Sequence, residues 1–113
     1  MKHRMWMTVA FASALVAQST PAAIAADGKA VFKARCTACH GQDGKGKAAV
    51  GTPDFTSAKT QAGLTDAAIV ETITNGRKDT IMPAWKGKLS ELEISSVASY
   101  VRSLGPMGGR SGQ

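Results

Sequence analysis

Cys36-Thr37-Ala38-Cys39-His40 is the stretch on which the reading of this chain turns. It is a complete Cys-x-x-Cys-His motif, the pattern of covalent haem attachment, and it uses both cysteines of the chain. The chemistry explains the spacing. Two thiols three positions apart on a short helical turn can each add to one vinyl group of the same porphyrin. The imidazole of His40, directly after Cys39, is then held beneath the ring as the proximal iron ligand.

Three plainer readings of the same residues are weaker. A thioredoxin-like redox pair belongs beside a βαβ pattern, and no strand-like run precedes Cys36. A closed zinc site takes four ligands, and past the leader only Cys36, Cys39 and His40 are on offer. A structural disulfide leaves His40 without a role.

The N-terminal residues read as a secretory signal peptide over 1–25. Lys2, His3 and Arg4 form a positive start, and Trp6 to Ala17 is apolar. Ala23-Ile24-Ala25 places small residues before a cleavage point. The apolar core is about a dozen residues, short of the roughly twenty of a spanning helix. An uncleaved membrane anchor is the alternative, because no charge lies between Met5 and Ala26. Export to the periplasm is the expectation, with the two thiols consumed by haem rather than by a disulfide.

What remains is one domain over 26–105 and a Gly-rich tail over 106–113. A chain this short has a marginal core of its own, and a tethered haem supplies an apolar centre. The formal charge is +6, and removing Lys2 and Arg4 leaves +4. Lys29, Lys33, Arg35, Lys45 and Lys47 surround the motif, with Lys86 and Lys88 farther on. Such a collar can steer the protein to redox partners with an acidic docking face. With no nucleic-acid motif beside the modest excess of charge, no nucleic-acid partner is expected.

Three helices are readable, and no strand. The first starts at Asp27, an N-cap residue, and runs towards Cys36. The second starts at Thr65 or Asp66 and stops at Asn75-Gly76. In the third, Ser90 and Glu93 have capping-box spacing. Leu92, Val97, Tyr100, Val101 and Leu104 then recur at helical intervals until Gly105-Pro106. Between the first two lies Gly41-Gln42-Asp43-Gly44-Lys45-Gly46, a glycine loop without the Lys-Ser/Thr ending of a phosphate loop. It is expected to close round a haem edge, and Phe55 beyond it to pack in the core.

The second iron ligand decides whether the site is open. Met82 stands in Thr80-Ile81-Met82-Pro83-Ala84-Trp85, where Pro83 forces an extended entry. Its thioether can approach the ring opposite His40, with Trp85 packed against the macrocycle. Met107, in the Gly-rich tail, would lose too much ordering entropy to serve.

Cys36 to Gly46, taken with Met82-Pro83-Ala84-Trp85, resembles the class I c-type cytochromes of the small bacterial single-haem kind. The resemblance spans about residues 27–104. It implies an all-α cytochrome c fold of three to five helices wrapped round one covalently attached haem c. Cys36 and Cys39 would carry the thioether bonds, and His40 and Met82 would be the axial ligands. It also implies crossed terminal helices, with Gly28 and Phe32 of the first meeting Tyr100 of the last.

The expected function is electron transfer rather than catalysis, through six-coordinate His/Met iron. A free carrier, a monomer that touches membrane respiratory complexes only peripherally, is the main reading. The alternative is the haem c subunit of a periplasmic oxidoreductase complex. An open-site haem enzyme or gas sensor would require that Met82 not bind.

Overall fold

Asp27 starts the first helix as expected: its carboxylate accepts a hydrogen bond from the Ala30 N–H at 3.1 Å. In the computed structural model, which describes residues 27–106 together with Ala10, Ala12 and Ser13, five α-helices follow one another. They are α1 (Gly28–Arg35), α2 (Thr37–His40), α3 (Ala58–Ala62), α4 (Asp66–Asn75) and α5 (Glu91–Ser103), with a 3₁₀ turn at Ala48–Val50 after α2. No strand forms among the described residues, and the architecture is all-α. The signal segment 1–25 and Met107 lie outside the described residues, apart from those three in the leader.

Helices α1 and α5 cross at Gly28. A Cβ on that residue would sit 2.0 Å from the Ser96 carbonyl oxygen, so only a hydrogen lets the two backbones approach this closely. Phe32, one turn on and 1% exposed, packs against Tyr100 with ring centroids 5.2 Å apart. Burying a ring of that size contributes about 2–3 kcal/mol. The crossing that the resemblance implied is present, through the residues named for it.

The ends of α5 are set by local chemistry. The Ser90 hydroxyl accepts from the Glu93 N–H at 3.1 Å, and the Glu93 carboxylate accepts from the Ser90 N–H at 3.0 Å. Its buried stripe is Ile94, Val97, Ala98 and Val101. Leu92, expected from its spacing to belong to that stripe, is 44% exposed. Two residues before Ile94 it is rotated about 200° round the helix axis, onto the opposite face.

Helix α3, five residues long, is too short to show a periodic pattern in the sequence. Ser57 caps it, accepting from the Thr60 N–H at 3.4 Å. Its buried Gln61 ties three segments together, donating through Nε2 to the carbonyls of Phe55 at 2.7 Å and Val101 at 2.9 Å. Arg102 completes the junction. Its guanidinium is 5% exposed and donates to the carbonyls of Gln61 and Leu64, each at 3.0 Å. Its Nε pairs with Asp66 Oδ1 at 2.9 Å. This knot fixes the α3–α4 connection to the last helix.

Candidate haem site

The attachment motif is positioned by α1 and α2 acting as a bent pair. The Cys36 N–H continues α1 by donating to the Phe32 carbonyl at 2.9 Å, and the His40 N–H closes α2 onto the Cys36 carbonyl at 2.9 Å. Cys36 and Cys39 are half-buried free thiols, not bonded to each other. Burial, and after it the neighbouring Cys39, pushes the Cys36 thiol up to about 11.

The glycine loop then turns back beneath the motif. Gly46, at φ +80°, donates its N–H to the His40 carbonyl at 2.8 Å. A Cβ there would lie 2.4 Å from the Thr52 carbonyl oxygen. The Thr52 hydroxyl donates to the Cys39 carbonyl at 2.7 Å and accepts from the Lys47 N–H at 2.7 Å. The loop expected to close round a cofactor edge thus folds against Thr52-Pro53, a segment that lines the cavity described next.

A cleft opens between α1, α4, α5 and the segment carrying Met82. Its inner lobe, about 360 Å³, is walled by apolar side chains that include Phe32, Leu64, Ile69, Ile73 and Val97. Its outer lobe, about 240 Å³, is bordered by Cys39, Ile81, Pro83 and Trp85. The two lobes share Cys36, His40, Pro53, Arg77 and Met82. All four residues singled out in the sequence, Cys36, Cys39, His40 and Met82, therefore face one cleft, although Met82 lies 43 positions after Cys39. Trp85 is there as well. Pro53 and Arg77 were not anticipated.

Burial disfavours the charged form of His40 and keeps its pKa below the usual histidine value. Phe55 stacks on the ring at 5.1 Å between centroids. The His40 Nδ1 is buried with no hydrogen-bond partner. An orphaned ring nitrogen beside an apolar cleft is costly for a fold that closes on itself. It fits an imidazole placed for a bound group.

On the other wall, backbone hydrogen bonds hold the ligand loop. The Met82 N–H donates to the Thr80 hydroxyl at 3.2 Å, and the Met82 carbonyl accepts from the Arg77 N–H at 3.3 Å. Just past it, the Trp85 N–H donates to the Ile73 carbonyl at 3.0 Å, which ties the loop to the end of α4. Gly76, at φ +73°, lets α4 turn into this loop, where a Cβ would meet the Met82 carbonyl at 2.8 Å.

Residues 23–101 match the family model described as cytochrome c oxidase, cbb3-type, subunit III. The chain belongs to that family. Its c-type cytochrome domain carries covalently attached haem c, and the cleft, its apolar walls and the neutral histidine suit that group. Among the relatives, the cbb3-type cytochrome c oxidase subunit FixP of Bradyrhizobium sp. (strain ORS 278) is 46% identical over 81 residues, covering 72% of this chain and 28% of the relative. Subunit CcoP of Cereibacter sphaeroides is 43% identical over 88 residues, covering 78% and 30%. The chain thus spans under a third of the length of these curated relatives. Among solved structures, the KustC0563 c-type cytochrome matches with a TM-score of 0.65 at 30% identity, covering 70% of this chain and 98% of that one. The cbb3 subunit III domain and this small cytochrome share the all-α cytochrome c fold seen here.

Proposed function

We propose that this protein is an exported single-haem electron carrier that serves as the haem c component of a respiratory oxidase or related oxidoreductase complex. The observation that carries the reading is the convergence of Cys36, Cys39, His40 and Met82 on one apolar cleft. Cys36 and Cys39 would form the thioether bonds, and His40 and Met82 would ligate the iron. The haem contributes a reversible one-electron change between ferrous and ferric iron. The protein's part is to hold that change in place. The buried neutral imidazole offers a nitrogen to the metal without first losing a proton. Met82 brings a soft sulfur donor, which favours the ferrous state. Phe32, Ile69 and Val97 keep water from the inner lobe.

The relatives named as oxidase subunits favour the complex over the free carrier that leads the sequence reading. A free carrier remains the second reading, supported by the match to nearly the whole of a small solved cytochrome chain. Either role suits a basic rim: Lys29, Lys33, Arg35, Lys45, Lys47, Lys86 and Lys88 are all exposed. An acidic partner face is the complement we propose, with the periplasm as the compartment. No helix among the described residues is long and apolar enough to cross a membrane.

The test is spectroscopic first. The haem-loaded protein should give a c-type pyridine haemochrome, a weak near-infrared sulfur-to-iron band when ferric, and no carbon monoxide adduct when ferrous. Rapid carbon monoxide uptake by the untreated protein would defeat the six-coordinate reading. Purification from the native host then separates the two roles: a fixed stoichiometry with an oxidoreductase supports the complex, and a lone monomer supports the shuttle.

A further inference from the structure

Helix α4 ends on Asn75, and the chain that leaves it comes back to it. The last carbonyls of a helix have no partner inside it. Two of them are met here from beyond the ligand loop. The Ile73 carbonyl accepts from the Trp85 N–H at 3.0 Å, and the Thr74 carbonyl accepts from the Lys86 N–H at 3.1 Å. Residues 76–84 therefore form a loop fastened at both ends to one helix terminus, and Met82 is the member of it that borders both lobes. Ile73 is 7% exposed and walls the inner lobe, so this anchor belongs to the core.

Gly76 sits at the neck of that loop. Its backbone, at φ +73° and ψ −175°, occupies a region that essentially only glycine enters. Close approach is the second constraint. A Cβ on Gly76 would lie 2.8 Å from the Ala84 nitrogen, 2.8 Å from the Met82 carbonyl oxygen and 2.9 Å from the Pro83 carbonyl carbon. All three atoms are main chain, and the ring of Pro83 stiffens the stretch that carries them. No flexible side chain is there to swing aside. The first residue after α4 thus abuts the sulfur donor and the two residues that follow it.

We infer that Gly76 is the positioning residue of the sulfur ligand: its missing side chain sets how close the Met82 backbone stands to α4, and so whether the thioether reaches the iron. The inference rests on the His/Met reading of the cleft. A methyl group at 76 must push the 82–84 main chain away from α4 by roughly 0.7 Å to regain ordinary carbon contact. A ligand constellation tolerates misplacement of only about 0.5 Å. The His40 side is built separately, by α1, α2, the glycine loop and Phe55. The effect is therefore selective: one axial ligand loosens while the covalent attachment and the proximal imidazole stay.

The experiment compares haem-loaded wild type with Gly76→Ala, Gly87→Ala, Met82→Ala and the double variant Gly76→Ala with Met82→Ala. Gly87 is the control. It too has a positive φ, +82°, but a Cβ there meets nothing within 4 Å among the described residues. Three quantities are read: the near-infrared sulfur-to-iron band of the ferric form, carbon monoxide uptake by the ferrous form, and the midpoint potential. Gly76→Ala should lose the band, take up carbon monoxide and move the potential down towards that of Met82→Ala. Gly87→Ala should keep the band and refuse carbon monoxide. Adding Gly76→Ala to Met82→Ala should change neither uptake nor potential further, since no sulfur is left to displace. An intact band in Gly76→Ala overturns the inference, and so does a further fall of the potential in the double variant. Equal loss of the band at 76 and 87 also overturns it, because backbone strain alone would then be the cause. If Gly76→Ala does not fold, the double variant is read by circular dichroism. Helix recovered once the loop is freed from the iron supports the positioning role, and a double variant equally unfolded overturns it. Failure of the His/Met reading is seen separately, as a wild-type protein that lacks the band or takes up carbon monoxide rapidly.

Discussion

The Phe55 ring lies stacked on the His40 imidazole, their planes 25° apart and their centroids separated by 5.1 Å. Phe55 is 9% exposed, and its own backbone is pinned when its N–H donates to the Gly44 carbonyl at 2.9 Å. The glycine loop, the aromatic ring and the histidine thus form one support. Phe55→Ala should cost about 3–4 kcal/mol in denaturant unfolding of the haem-loaded protein. Because the imidazole also loses a wall, the rhombic electron paramagnetic resonance signal of the ferric haem should broaden. A variant with full stability would show that the stack holds nothing.

Met82→Ala should leave the covalent haem in place and open the far side of the iron. The ferrous variant then takes up carbon monoxide, loses the near-infrared band when ferric, and shows a lower potential than wild type. An unchanged spectrum would mean that another side chain is the sixth ligand.

Gly28→Ala tests the helix crossing. The added methyl meets the Ser96 carbonyl well inside contact distance, and that oxygen belongs to the backbone of α5, which cannot swing away. Overpacking of this kind should cost about 3 kcal/mol. Differential scanning calorimetry should show the loss, with the haem spectrum largely retained in the fraction that folds.

Arg102 and Asp66 form an ion pair whose two halves are unequally exposed, at 6% and 66% for the side chains. Removing the exposed half should matter little: Asp66→Asn is expected to cost about 0.5 kcal/mol. Arg102→Met strips the Gln61 and Leu64 carbonyls of a buried donor and should cost about 3 kcal/mol. Equal losses in urea unfolding would contradict this division of labour.

Asp54 supplies a pH test. The Thr56 hydroxyl donates to its carboxylate at 2.6 Å and the Thr56 N–H at 2.9 Å; these bonds, with Lys45 nearby, hold its pKa below the usual aspartate value. A carboxylate depressed on folding contributes stability above its unfolded pKa and loses it as the pH falls through the folded value. The window therefore lies in acid, below the ordinary aspartate range. Thr56→Val should raise the Asp54 midpoint in a carbon-13 titration. A midpoint that stays put would exclude the hydroxyl as the main cause.

The site was more legible in the sequence than the scaffold that holds it. Covalent attachment requires contiguous residues, so Cys36, Cys39 and His40 announce themselves, and Met82 is marked by Pro83 and Trp85. The caps at Asp27, Thr65 and Ser90 were legible for the same local reason. Arg102 was not: a cation in the last turn of a helix reads as a solvated end, and its partners at Gln61, Leu64 and Asp66 lie 36 to 41 positions away. Arg77 was missed likewise, since only the folded loop brings it to the cleft. Leu92 shows the opposite error, an apolar residue counted into a stripe from which its helical phase excludes it.

Gly28, at the start of the first helix, is in backbone contact with Ser96, in the middle of the last. The first and last helices are therefore locked against each other, and the unit behaves as a cartridge that other chain can flank without being threaded through it. The same contact also sets the order of assembly, because α1 cannot find its seat until α5 has been made. Almost the whole unit must therefore be delivered before the pocket has walls, and the two thiols stay accessible throughout that interval.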